Sequence, residues 1–336
     1  MIKKALIFIT VIFIVGFFYW QNLNSPVDLN AKEQIFLVSK GETVSEIISN
    51  LKNENLIKSP VYFKYQIWRD KLNIKAGEYL ISPRLTAKEI IKILTQGDAL
   101  SREKQIRIIE GWNLKDIGDY LKKNNVVGSG DYLGLVQDSI GGWKFSFSKP
   151  SFLSDAPKQA NLEGYLFPDT YRIFNDTLAE QVISKMLNNF DKKLTSEMRA
   201  EIKRQKKTIY EIITMASIIE KEVRSTDDMR IVSGIFWNRI KNGQGLESCA
   251  TLAYILGVNK LQYSLADTKI DSPYNTYKYR DLPPGPIANP GLNAIKAAIY
   301  PESTAYNYFL SDPATGQTIY SKTLEEHNLN KFKYLK

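Results

Sequence analysis

The chain has 336 residues, 43% hydrophobic and 24% charged, which predicts a globular protein of about two domains. Its only cysteine, Cys249, and only histidine, His327, exclude an internal disulfide and a zinc site built from cysteine or histidine clusters. The formal net charge is +9, but the basic residues are spread along the chain without a DNA-reading motif, so we expect no nucleic-acid partner. What remains for catalysis is carboxylate chemistry without metal or cofactor, which is typical of glycosidic-bond cleavage.

The first predicted element is a membrane-spanning helix at residues 5–20. This run carries no charge and directly follows Lys3 and Lys4. It is somewhat shorter than the roughly 20 residues that usually span a bilayer, but Tyr19 and Trp20 suit the headgroup level. A cleaved signal peptide is the alternative, although no small-x-small cleavage site follows. The lysines predict that residues before the run are cytoplasmic, and that the rest forms an extracytoplasmic (periplasmic) part of a single-pass protein of the cytoplasmic (inner) membrane.

A polar linker (21–32) then leads into a region (33–140) that contains an internal repeat. Each copy predicts a strand, a glycine turn and two helices, and in the first copy Thr43 and Glu46 form a capping box. The pairs that align are Gly41 with Gly111, Ile47 with Ile117, Leu51 with Leu121, Asn55 with Asn125 and Tyr62 with Tyr132. Such a compact unit resembles a LysM-type glycan-binding module, and a purely structural repeat is the alternative.

The rest of the chain predicts an irregular connector (141–160) and a helix-rich mixed α+β catalytic domain (161–336). The connector has turn residues and no clear period. Helical patterns follow near 178–191, 196–205, 208–224 and 227–242, and short strands are predicted in AYNYFLSD and GQTIYS.

A glutamate on an apolar helix face is the main candidate for catalysis. The segment TIYEIITMASIIEKEV places Glu220 on the same face as Ile209, Ile212, Ile213, Ala216 and Val223. A carboxyl group held among apolar side chains has a raised pKa, as a general acid needs. The alternative is a rim glutamate neutralised by Lys221 or Arg224.

Two further segments predict a saccharide cleft. LEGYLFPDTY (162–171) places two carboxylates among aromatic residues, and SPYNTY with LPPGPIANPG combines aromatic and amide side chains with rigid turns. Aromatic faces stack on sugar rings, and amide and hydroxyl groups bind their substituents. A packing role for these loops is the alternative.

The motifs MASIIEKE, EGYLFPDTY, SPYNTY and LPPGPIANPG, in a chain with an N-terminal anchor, resemble the endolytic murein transglycosylase (MltG or YceG-like) family. The resemblance covers most of the chain beyond the predicted span. It implies a LysM-like subdomain, a catalytic domain that cuts nascent peptidoglycan strands internally, and Glu220 as the catalytic residue. By the same resemblance, Glu163, Tyr165, Asp169, Asn275 and Tyr277 are expected to bind substrate. Membrane-bound peptidoglycan synthases are suggested as neighbours.

The resemblance implies that Glu220 protonates the bond between N-acetylmuramic acid and N-acetylglucosamine and yields a 1,6-anhydro end. Two alternatives stay open: a hydrolase in which Glu163 or Asp169 activates water, and a membrane-tethered glycan-binding scaffold. Glu222 lies about 200° from Glu220 around the helix and is expected to be structural. The chain departs from the family pattern at LESCATLAY, where Cys249 stands in place of an aspartate.

Overall fold

A computed structural model of the protein describes residues 2–96, 103–258, 260 and 263–335, and the chain divides into two compact units, Met1–Lys104 and Gln105–Lys336. Helices and two-stranded sheets make the protein α+β, as its sequence predicts. The division falls inside the repeat region, so the two copies of the repeat lie in different units. The predicted domain boundaries stay predictions.

The first unit is a strand–helix–helix–strand motif with a helix before it and another after it. Its elements are α1 (Ile2–Asn24), β1 (Gln34–Val38), α2 (Val44–Asn53), α3 (Pro60–Arg69), β2 (Gly77–Ile81) and α4 (Ala87–Gln96). β1 and β2 are antiparallel. Because side chains alternate across a strand, Phe36 and Val38 face the core of this unit while Ile35 and Leu37 are exposed.

The predicted membrane span lies within α1, which continues to Asn24. Within the residues described, no helix combines the length and the apolar character that crossing a membrane takes, so the predicted span is not confirmed. The predicted linker is partly ordered by the first unit, because the Val27 and Asp28 amides both donate to the Pro83 carbonyl (3.0 and 3.2 Å).

The second unit is rich in helices, and most of β3 belongs to it. Its elements are β3 (Glu103–Arg107), α5 (Leu114–Lys123), α6 (Tyr132–Gln137), β4 (Thr170–Phe174), α7 (Ala179–Lys193), α8 (Ser196–Arg204), α9 (Ile209–Glu222), α10 (Thr226–Lys241), α11 (Cys249–Leu256), α12 (Leu292–Ile299), β5 (Tyr308–Ser311), β6 (Thr318–Ser321) and α13 (Leu324–Tyr334). β3 pairs with β4, and β5 pairs with β6. Irregular backbone with short 3-10 turns links α6 to β4.

The internal repeat is confirmed as two strand–helix–helix units. A capping box starts α2 at Thr43 and α5 at Asn113. Both helices also end alike, because Asn55 and Asn125 take left-handed φ values of 55° and 50°, a conformation that asparagine tolerates well. In each copy the following amide, of Leu56 or of Val126, closes the helix end by donating five residues back.

Helix α9 is the centre of the second unit. It packs against α8, α10, α11 and α12, and every residue from Ile212 to Ile219 is buried. The sequence predicts one apolar face, whereas the structure buries this stretch on all sides. Thr214 and Ser217 are accommodated because their hydroxyls donate to the carbonyls of Tyr210 and Thr214 (2.8 and 2.7 Å).

Candidate functional site

Glu220 lies in the last turn of α9, where the buried stretch of this helix ends. Its Oε2 accepts a hydrogen bond of 2.9 Å from the Gly291 amide. Burial is the largest influence on the pKa of Glu220 and raises it, and the negative charge of Glu110 also raises it. The hydrogen bond from the Gly291 amide and the positive charge of Lys221 lower the pKa. The net effect is a pKa above the ordinary value of a glutamate. Glu220 is therefore a half-buried carboxyl group with an increased tendency to hold a proton.

The segment LPPGPIANPG runs alongside α9 and delivers the Gly291 amide to Glu220. The Tyr210 hydroxyl donates to the Pro284 carbonyl (2.7 Å), and the Ile287 amide donates to the Ser217 hydroxyl (3.0 Å). Tyr210 and Ser217 are two turns apart on α9, and Glu220 follows one turn later. The segment is thus held to the helix at successive turns up to the site.

Glu163 and Asn289 join three chain segments behind the site. The Asn289 Nδ2 donates to Glu163 Oε1 (3.0 Å), and the Leu114 amide donates to Glu163 Oε2 (3.1 Å). The Asn289 Oδ1 accepts from the Leu166 amide (2.9 Å), and its backbone exchanges hydrogen bonds with Trp112 and Gly111. These bonds hold the start of α5 and the EGY segment (163–165) against the residues that precede Gly291.

Glu163 is only 4% exposed, and burial raises its pKa to about 8 despite the hydrogen bond from the Leu114 amide. Tyr165 is fully buried, and its ring packs against Phe152 and Phe190 with centroid distances of 5.8 and 5.3 Å. Both side chains thus make their contacts with the protein interior. Their expected role in substrate binding stays a prediction.

Gly164 allows the EGY segment to approach α9 closely. Its φ is +87°, and a Cβ there would lie 2.7 Å from Ile213 and from Pro286. Only glycine fits this conformation and this spacing without displacing its neighbours.

Asp169 lies just before β4 and is exposed. Desolvation alone would raise its pKa, but hydrogen bonds from Asn189 and from the Thr170 amide, together with Lys193, outweigh it and lower the pKa. The Asn189 Nδ2 is 3.0 Å from Asp169 Oδ2, and Lys193 Nζ is 3.9 Å from the same oxygen. Asp169 is thus an ionised surface carboxylate within a polar cluster.

Asn275 shapes the SPYNTY loop from inside. It is fully buried; its Nδ2 donates to the carbonyls of Thr268 (3.0 Å) and Ile270 (2.8 Å), and its Oδ1 accepts from the Tyr277 amide (3.0 Å). Tyr277 is partly exposed, and its hydroxyl lies 3.1 Å from Cys249 Sγ. The substitution at Cys249 therefore falls on a direct neighbour of a predicted cleft residue.

Glu222 faces the start of α11. Its Oε1 accepts a short hydrogen bond from the Ser248 hydroxyl and one of 3.4 Å from the Ala250 amide. These contacts agree with the structural role expected from its position around the helix.

Glu110 is a second carboxylate at the site that the sequence did not single out. A Cβ on Gly291 would lie 2.0 Å from Glu110 Oε1, so the Glu110 side chain lies directly over Gly291. Since the Gly291 amide is bonded to Glu220, the two carboxylates are within about 7.5 Å of each other. In the sequence, Glu110 could have been noticed because it directly precedes Gly111, the glycine that the repeat alignment pairs with Gly41.

A cavity of about 220 Å³ opens beside Glu220 in the second unit. Gly111 and Lys221, which adjoin Glu220, are among its lining residues, and α11 contributes Ala250 and Tyr254. The remaining lining residues are Asn113, Lys115, Asp116, Asp119, Ala253, Gly257, Val258 and Ile287. An aromatic ring and several polar groups next to a protonatable carboxyl group could bind a sugar and donate a proton to it.

Comparisons with known proteins agree with the motif resemblance. A sequence model described as the YceG-like family matches residues 36–333. A Bacillus subtilis (strain 168) protein named endolytic murein transglycosylase is 33% identical over 328 residues, which cover 95% of this chain and 90% of that protein. A Streptococcus pneumoniae (strain D39) protein of the same name is 32% identical, and the match covers 97% of this chain but 63% of that longer protein. A solved structure of a yceG-like protein from Listeria monocytogenes is similar with a TM-score of 0.59 and 32% identity, and covers 90% of this chain and 100% of that one.

Proposed function

The chain belongs to the YceG-like family, and on that premise we propose that it cuts peptidoglycan strands internally as an endolytic murein transglycosylase, with Glu220 as general acid and base. Its enzyme class is that of its relatives, which are named endolytic murein transglycosylase. The observation that carries the assignment of Glu220 is its half-buried carboxyl group, held by Gly291 beside the cavity.

The proposed reaction uses one carboxyl group twice. Protonated Glu220 donates its proton to the oxygen of the β-1,4 bond between N-acetylmuramic acid and N-acetylglucosamine, and the C1–O bond breaks. The Glu220 carboxylate then accepts the proton of the muramyl C6 hydroxyl while O6 bonds to C1. The new end is a 1,6-anhydro sugar, and no water is consumed.

The environment of Glu220 supports both halves of this cycle. Burial and the negative charge of Glu110 favour the protonated form that the first step needs. The Gly291 amide and Lys221 stabilise the carboxylate that forms next. A pKa near the working pH serves a group that must both give and take a proton.

A hydrolase needs a second carboxylate that positions water. Glu163 is buried and bonded to Leu114 and Asn289, and Asp169 is bonded to Asn189, so neither is free to serve in this arrangement. Glu110, whose side chain lies over Gly291, is the remaining candidate for that role. The contacts of Glu163 and Asp169 favour the transglycosylase over a hydrolase that uses either of them.

We also propose that the chain is anchored in the cytoplasmic membrane by residues 5–20, with its N-terminus inside and its catalytic unit outside. The support is the uncharged run after Lys3 and Lys4, within a helix that continues to Asn24. A location beside membrane-bound peptidoglycan synthases follows from a substrate made at that surface. We likewise propose, without a direct test, that the repeat is a LysM-like glycan-binding module.

The test compares the full chain with its Glu220→Gln variant on uncrosslinked glycan strands, with products analysed by mass spectrometry. We expect internal fragments with 1,6-anhydro ends, lighter by one water than hydrolytic fragments. Loss of the acid should lower the rate by at least about 100-fold. Glu222→Gln is the matched control, since it makes the same carboxyl-to-amide change two residues away on the face that contacts α11.

Fragments with reducing ends would instead assign a hydrolase, with Glu110 as its second carboxylate. Strands that stay intact with the unmodified chain would favour a glycan-binding scaffold. Full activity of Glu220→Gln would contradict the catalytic assignment.

A further inference from the structure

Helix α3 carries an outer face with large apolar side chains exposed to solvent. Its inward residues, Tyr62, Phe63, Gln66 and Ile67, are buried in the core of the first unit. Its outward residues are Val61, Lys64, Tyr65, Trp68 and Arg69, which we call the α3 outer face. Exposed fractions of 76% for Val61 and 75% for Trp68 show that these large apolar groups are uncovered.

The composition of this face matches a lipid interface better than water. A helix on a protein surface normally turns a polar face outward, but here two aromatic rings and a valine alternate with two basic side chains. Arg69 pairs with Asp70 (2.8 Å) and also lies over the Tyr65 ring at 5.8 Å. Tryptophan and tyrosine favour the headgroup level, and lysine and arginine attract anionic lipids.

The α3 outer face is continuous with the apolar helix α1. The Trp20 ring contacts the rings of Tyr62 (4.9 Å) and Tyr65 (5.2 Å). Tyr65 in turn lies 6.2 Å from Trp68. An aromatic row thus leads from the last residue of the predicted span across α3.

The end of α1 is fixed to the first unit. Lys58 Nζ donates to the Ser25 hydroxyl (2.7 Å), and the Lys88 amide donates to Asn24 Oδ1 (3.1 Å). Leu23 packs against the core of the unit. Because the end of α1 is held in place, the direction in which α1 would enter a membrane determines which surface of the first unit faces the membrane.

We infer that the α3 outer face lies in the headgroup layer of the membrane and docks the first unit on anionic phospholipids. This inference rests on the proposed anchoring by residues 5–20. If Trp20 is at headgroup level, the rings in contact with it are at that level too. Lys64 would then face lipid phosphates, and Trp68 would lie at the boundary between the headgroups and the acyl chains.

The test places a fluorescent label within the face. In a Cys249→Ser background, which removes the only cysteine, Lys64→Cys is labelled with an environment-sensitive dye. The full chain is reconstituted in vesicles of phosphatidylethanolamine and phosphatidylglycerol. We expect blue-shifted emission and strong quenching by lipids that carry a nitroxide near the headgroup.

A matched pair of variants separates docking from simple proximity. Tyr65→Ser with Trp68→Ser should lose most of the quenching, because the apolar contacts are gone. Ile35→Ser with Leu37→Ser, which removes exposed apolar groups from the outer side of β1 in the same unit, should keep it. Circular dichroism checks that both variants fold.

The outcomes distinguish this inference from the proposed function. A chain that floats with vesicles and cuts glycan, but whose label behaves as in water, overturns the docking alone. A label that responds to soluble glycan strands instead of lipid overturns it in favour of a saccharide surface. A chain that does not float with vesicles contradicts both the anchoring and the docking, whereas loss of glycan cleavage contradicts only the enzymatic proposal.

Discussion

Glu110 contacts Gly291, and its negative charge favours the protonated form of Glu220. Replacing Glu110 by glutamine removes this charge and should therefore lower the pKa of Glu220. Carbodiimide labelling of Glu220 as a function of pH, read by mass spectrometry, reports this pKa without requiring activity.

The control for this prediction is Glu197→Gln, which removes an equal charge from the first turn of α8. It should leave the labelling midpoint of Glu220 unchanged. If Glu110→Gln gave the same midpoint as this control, the two carboxylates would not be coupled. In an activity assay the same change should move the alkaline limb of the pH profile to lower pH.

Glu163 makes stability depend on pH. Its pKa rises from 4.5 to about 8 on folding, so the folded protein holds a proton that the unfolded chain releases above about pH 4.5. The free energy of unfolding should fall as the pH rises towards 8, by an amount on the order of 5 kcal/mol from this group. Urea unfolding at several pH values measures it.

Replacing Glu163 by glutamine should remove that pH dependence and also lower the free energy of unfolding by an amount that does not vary with pH. The amide nitrogen would face either the Leu114 amide or Asn289 Nδ2, so one donor would lose its acceptor, at a cost of about 1–3 kcal/mol. The unfolding free energy of the variant would then vary less between pH 5 and 8 than that of the parent chain. Equal slopes would show that Glu163 is ionised in the folded protein.

At the scale of elements, the close approach of the EGY segment to α9 depends on Gly164. A methyl group there would require a strained φ and would overlap Ile213 and Pro286, so Gly164→Ala should destabilise the second unit by about 2–4 kcal/mol. Thermal unfolding measures this change. Gly134→Ala, inside α6 with open space around it, should instead stabilise by about 0.5–1 kcal/mol.

Elements with local signals were the ones that the sequence predicted well. The Thr43 capping box, the strand–helix–helix order of each repeat copy and the helical patterns of α7 to α10 are all confirmed. The sequence did not predict strand β4, because it begins within the last two residues of the aromatic EGYLFPDTY motif, which indicated a cleft loop. The sequence did not predict helix α11, because the segment LESCATLAY was interpreted only as a departure from a family motif.

The candidate site likewise contains residues that the sequence predicts and contacts that it does not. Glu220 was predictable because an acid within an apolar helix pattern is a local anomaly. The partnership of Glu163 with Asn289 joins residues 126 positions apart, and no local pattern encodes that contact. Glu110 and Gly291 are similarly distant, so the second carboxylate emerges only when tertiary contacts bring the start of α5 to the start of α12.

At the scale of the whole molecule, the two units have separate hydrophobic cores. The core of the first unit contains Phe36 and Phe63, and that of the second contains Phe190 and the buried face of α9. Phe63→Ala should therefore cost about 3–5 kcal/mol in the first unit, because it leaves a cavity in a fully buried position. Hydrogen exchange followed by mass spectrometry locates the loss.

We expect faster exchange in β1, α2, α3 and β2 of this variant, with α9 as protected as in the parent chain. Phe190→Ala is the reciprocal control, since it should loosen α7 and α9 and leave the first unit intact. Because Glu220 and its partners all lie in the second unit, Phe63→Ala should also keep the labelling midpoint of Glu220. Increased exchange in α9 on loss of Phe63 would mean that the two cores unfold together, and that the stability of the second unit depends on the first.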